Sequence, residues 1–75
     1  MMVKLPVFSG EKVVKVFKNA GWIVARKKGS HIIMVKKGHI ASLSIPRHKE
    51  IAPGTLRALI RNSGMTVEEF MKILI

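Results

Sequence analysis

The sequence predicts an α+β fold: a three-stranded antiparallel sheet with helices on one face, in the order α-β-β-β-α-α. Three observations predict it. Apolar residues recur at helical spacing near both ends of the 75-residue chain. Between those stretches lie runs rich in β-branched residues, one of them with strict two-residue alternation. The runs are separated by "GS" and "KKG", which are too short for a crossover and so force antiparallel pairing.

"SGEKVVKVFKNAGW" predicts the first helix. Ser9 can cap it, Glu11 suits the positive end of the helix dipole, and Val13, Val14, Phe17 and Ala20 share one face. Lys12, Lys15 and Lys18 point elsewhere, as a solvated face does, and Gly21 suits the helix end. "WIVARK" and "HIIMVK" then read as strands around "GS", where glycine at the first central position favours a type II′ hairpin turn. "KKG" resembles a type I turn with a glycine bulge and leads into "HIASLSI", expected to be strand from His39 onward. There Ala41, Leu43 and Ile45 alternate with Ser42 and Ser44, so one face is buried and the other polar, and Pro46 ends the strand.

"PRHKEIAPG" reads as a connecting loop. "TLRALIRNSG" predicts a second helix, with Leu56, Leu59 and Ile60 inward and Gly64 ending it. A third helix comes next with a strong start signal: Thr66 and Glu69 form a capping box, and Met65 and Phe70 a hydrophobic staple. Glu68 and Glu69 are thereby accounted for as helix-start residues. Phe17 and Trp22 lie within apolar runs and are expected in the core.

The length suits one domain spanning 1–75, with 48% hydrophobic residues to build its core. The chain has no cysteine, which removes disulfides, thiolate nucleophiles and cysteine-bound zinc. No apolar run approaches the ~20 residues of a membrane span, and "MMVKLPVFSGEKVV" has no signal-peptide segment. A cytoplasmic protein with no membrane partner is expected.

Charge is the strongest compositional signal. Fourteen Lys and Arg oppose four acids, for a net charge of +10, which attracts polyanions and points to nucleic acid or an acidic protein. The acids are Glu11, Glu50, Glu68 and Glu69, with no aspartate at all. Metal-dependent phosphoryl chemistry needs clustered oxygen ligands, so no metal or other cofactor is expected. The histidines lack a ligand spacing such as H-x-H or H-x-x-x-H. With 5% aromatic residues and no tyrosine, a stacking-based single-strand binder is disfavoured.

Histidine is the reactive side chain that remains, and an imidazole can serve as general acid or base. His31 directly follows a tight turn flanked by Arg26, Lys27 and Lys28, with Lys36 and Lys37 at the far end of its strand. It could catalyse, contact a phosphate or simply hydrogen-bond within the fold. RNA would need little from the protein, because its 2′-hydroxyl supplies the nucleophile. If there is catalysis, composition therefore points to metal-independent RNA cleavage. His39 reads as structural or solvated, and His48, between Arg47 and Lys49, as a phosphate contact or a solvated loop residue.

"GWIVARKKGSHIIM" after the first helix, together with "IPRHKEIAPGTLRALIRNSGMTVEEFMKIL" further on, resembles the HicA-type toxins of prokaryotic toxin–antitoxin systems. The similarity runs from Leu5 and rests on the G-S-H turn, the P-x-H loop and the P-G-T-L-R helix start in that order. It implies a fold similar to the double-stranded-RNA-binding domain and an endoribonuclease that cuts mRNA, with a HicB-type antitoxin as partner. His31 would be catalytic; Gly29 and Ser30 match the same motif, and His48 the P-x-H loop. Arg26, Lys27, Lys28, Lys36 and Lys37 would hold phosphates with them. Many members carry a second histidine after the first, where this chain has Ile32.

Two other readings compete. A non-catalytic RNA-binding module of double-stranded-RNA-binding-domain type would bind RNA without cutting it. A pure interaction protein would use the same basic surface on an acidic partner. A helix-turn-helix in the last two helices is disfavoured, because Glu68 and Glu69 would meet a phosphate-lined groove.

Overall fold

The computed structural model describes residues 7–74. The first six residues, with Leu5 and much of the stretch read for a signal peptide, lie outside the described residues, as does Ile75. Ser9 holds extended backbone and its hydroxyl accepts the Lys12 N–H at 3.2 Å, which satisfies a donor that the first helical turn leaves free. Helix α1 therefore spans Gly10–Asn19 and buries Val13, Val14, Val16 and Phe17.

Strands β1 (Ile23–Lys28), β2 (His31–Val35) and β3 (Leu43–Pro46) form one antiparallel sheet in the order β1-β2-β3. The hairpin between β1 and β2 turns on Gly29, whose φ is 58°, while no non-glycine residue among those described has positive φ. A positive φ at the first central position alone is the type II′ pattern expected from "GS".

The pairing of β1 with β2 carries an irregularity between Val24 and Arg26. Val24 pairs with the buried Met34, whereas Arg26 pairs with Ile33 and Lys28 with His31. An extra residue shifts the two-residue alternation by one. Val24 can thus face the helices while Arg26 and Lys28 face away from them.

The third strand corrects the reading of "HIASLSI". It begins at Leu43 rather than His39, and Ala41 is exposed instead of buried. His39 has left the sheet: its Nε2 lies 2.9 Å from the Asn62 carbonyl, and its ring meets Trp22 edge-on at 5.0 Å. These two contacts draw the β2–β3 connection towards the end of the second helix. The turn itself is closed by His39 N–H donating to Lys36 O at 3.0 Å, with Gly38 at φ 80°. Glycine with positive φ at the third position is a type II arrangement, where a type I turn is predicted.

Helix α2 spans Pro53–Asn62 and starts two residues before the predicted Thr55, because proline is accommodated at the first helical position. Helix α3 spans Val67–Leu74. Its capping box is present in both directions, Thr66 N–H to Glu69 Oε1 at 2.8 Å and Glu69 N–H to Thr66 Oγ1 at 3.1 Å.

All three helices cover one face of the sheet. Phe17, Trp22, Met34, Leu43, Ile45, Ile51, Leu56, Ile60 and Phe70 are buried between the layers. Phe17 and Phe70 meet with ring centroids 5.5 Å apart, a separation suited to tilted aromatic packing. The order and layering are those of the predicted α+β fold, consistent with the double-stranded-RNA-binding-domain type.

A close approach fixes the end of β3 against α1. Gly10 N–H donates to His48 O at 2.8 Å, and a Cβ on Gly10 would collide with the Pro46 carbonyl. The start of α1 is therefore pressed directly onto the strand end that pairs with His31.

Candidate active site on the open face of the sheet

His31 is the first residue of the central strand and is exposed. Its neighbour Ile32 is buried at 6% exposure on the helix side. Strand alternation therefore turns His31 to the uncovered face. The position after the histidine carries a core side chain.

Pairing decides what stands beside the imidazole. Lys28 is opposite His31 on β1, and Pro46 is opposite on β3. Directly opposed residues lie within about 5.5 Å at Cβ, so the Lys28 ammonium can reach an anion held at His31. Arg26 opposes Ile33 and is the diagonal neighbour on the same face. The turn is pinned from the other side by Arg47 N–H donating to Ser30 O at 2.7 Å. Gly29 and Ser30 thus have a defined place next to the histidine, and a cationic face flanks it without covering it.

The remaining predicted residues divide. Lys27 pairs with Ile32 and so lies on the helix side of the sheet, away from His31. Lys36 and Lys37 follow Val35 at the opposite end of β2. Four residues of strand, about 13 Å, separate that end from His31, and the Lys36 side chain runs beside Gly21. The structure does not bring these two lysines to the histidine. His48 is exposed and lines a cleft of about 270 Å³ with Ser9, Glu11, Arg47 and Lys49.

The Arg47 backbone meets the turn, while Arg47 itself lines the cleft with Ser9, Glu11, His48 and Lys49. Among the described residues, no three His, Cys, Asp or Glu side chains gather where they could hold a metal ion. Among the same residues no helix is long and apolar enough to cross a membrane.

Residues 10–65 match the family model described as the HicA toxin of bacterial toxin–antitoxin systems. The chain belongs to the HicA toxin family. A solved structure entitled "Toxin-Antitoxin complex from Streptococcus pneumoniae" contains a chain 34% identical to this one, with a TM-score of 0.69. The match covers 77% of this HicA chain and 98% of the other. No curated protein matches. The matched segment contains α1, the sheet and α2, and so includes every element that carries the candidate site.

Proposed function

We propose that this HicA toxin is a metal-independent endoribonuclease that cuts mRNA in the cytoplasm, with His31 as its general acid or base. The observation that carries the reading is the exposed His31 on the open sheet face, opposite Lys28, at the turn that the family model spans.

In the proposed reaction the imidazole takes the proton of a ribose 2′-hydroxyl as the 2′-oxygen attacks the adjacent phosphorus. The P–O5′ bond breaks, and the leaving oxygen receives a proton from the imidazolium or from water. The products are a 2′,3′-cyclic phosphate and a free 5′-hydroxyl. Lys28 and Arg26 would offset the charge that grows on the phosphorane oxygens. DNA, lacking the 2′-hydroxyl, would not be a substrate. The absence of aspartate and the helix-start roles of Glu68 and Glu69 favour an imidazole mechanism over one built on carboxylate-bound metal.

A HicB-type antitoxin would silence the protein by covering this open cationic face, in keeping with the toxin–antitoxin complex among its structural relatives. The test is cleavage of end-labelled single-stranded RNA and matched DNA in excess EDTA, by the wild type and His31→Ala. RNA-specific cutting that the variant loses, with cyclic-phosphate ends, is the expected result. If both proteins bind RNA and neither cuts it, the chain is a non-catalytic RNA-binding module.

A further inference from the structure

A second concave surface lies on the helix side of the molecule. Glu11, Val14, Lys15, Lys18 and Asn19 of α1, with Ile32 of β2, line a groove of about 530 Å³. That size falls in the range of about 300–1,000 Å³ common for ligand-holding clefts. Its floor is aliphatic: Val14 and Ile32 are 7% and 6% exposed. Its rim is cationic, with Lys15 and Lys18 exposed on α1. The pairing Lys27–Ile32 brings a third exposed lysine to the same side.

Ile32 and His31 are adjacent on one strand and face opposite ways. The groove is therefore separated from the candidate active site by the thickness of the sheet. An occupant of the groove need not touch His31.

The lining chooses among occupants. RNA fits the rim but not the floor, since no aromatic ring lines the groove for a base to stack on. A second copy of this chain is disfavoured by self-repulsion at a net charge of +10. A helix with aliphatic residues on one face and carboxylates beside them satisfies both floor and rim.

We infer that the groove between α1 and β2 docks an acidic amphipathic helix of a partner protein, through aliphatic side chains on Val14 and Ile32 and carboxylates on Lys15, Lys18 and Lys27. This holds whether or not the protein cuts RNA. The toxin thereby has a grip for a protein partner on the side away from His31. A partner can remain bound there while the open face is free.

The test uses the full ¹⁵N-labelled chain and follows its amide resonances. The probes are a short synthetic Leu/Glu amphipathic peptide, the same peptide with serine for leucine, and a 2′-O-methyl RNA that cannot be cleaved. The Leu/Glu peptide is expected to shift Val14, Lys15, Lys18, Asn19 and Ile32 and to leave Gly29 and Ser30 in place. Lys15→Glu with Lys18→Glu, both exposed, should weaken that peptide about tenfold while the circular dichroism spectrum is unchanged. Equal shifts with the serine peptide would reduce the effect to bare charge attraction and overturn the proposal. So would groove shifts caused by the RNA and not by the peptide, or no groove shifts at all. A failed RNA-cleavage assay would leave this amide map intact, so the two readings fail separately.

Discussion

His31 and His39 occupy similar places in the sequence and opposite places in the molecule. Each comes just after a glycine-bearing turn, and each has lysines shortly before it. His31 sits in the sheet, exposed, between Lys28 and Pro46. His39 has left the sheet and ties the β2–β3 connection to α2 and Trp22. A histidine's role here therefore depends on what lies across from it in space. At His31 the neighbours are an opposed cation and open solvent. At His39 they are a helix-terminal carbonyl and an indole, which turn the same side chain into a brace.

Removing the first histidine should have the largest effect. Under the proposed mechanism His31→Ala should lower RNA cleavage by about 10²–10⁴-fold, with the melting temperature and RNA affinity nearly unchanged. A variant that cuts at the wild-type rate would end the catalytic assignment and leave the two histidines functionally alike.

The largest loss of stability is expected at the site's foundation. Gly10→Ala places a methyl group against the Pro46 carbonyl and should destabilise the fold by about 2–3 kcal/mol. Because Pro46 also pairs with His31, residual cleavage measured well below the melting point should fall as well. Full activity would show that the strand end tolerates displacement.

His39→Ala should do the reverse of His31→Ala. Losing the Asn62 contact and the edge-on Trp22 packing should cost about 1–2 kcal/mol in urea unfolding. Cleavage per folded molecule should stay within a factor of about two.

A smaller and sharper contrast separates the two lysine groups. Lys28→Ala should slow cleavage about two- to fivefold, as expected for one exposed charge beside the reacting phosphate. Lys37→Ala, at the far end of β2, should change it by less than about twofold. Equal losses would mean that general charge, rather than the pairing opposite His31, governs the rate. The least effect on the site is expected for Gly29→Ala. Nothing lies within 4 Å of its missing Cβ, so the cost is the strain of positive φ, about 1–2 kcal/mol of stability. The hairpin register, and hence the pairing of Lys28 with His31, should survive in its amide spectra.

Much of the fold was legible because its signals are short-range. Ser9, the Thr66–Glu69 capping box and the "GS" turn each act within three or four residues, and all three behave as local chemistry demands. The candidate site was legible in part. The turn and the place of His31 at the strand start follow from "KKGSH", whereas the candidate role of His31 comes from the family resemblance. The division of the lysines follows from neither, since it depends on the irregularity between Val24 and Arg26, and no residue in "WIVARK" announces one.

The number and order of elements, the cationic character of the molecule and the histidine at the hairpin turn were thus all written in the chain. These rest on composition, periodicity and turn chemistry, which operate locally. Tertiary structure alone decided that Arg26 and Lys28 share a face with His31 while Lys27 does not, and that β3 begins at Leu43. It also decided that His39 braces a helix 23 residues away. Those outcomes arise from packing Val24, Met34 and Trp22 beneath the helices, and burial of that kind joins residues that the chain keeps far apart.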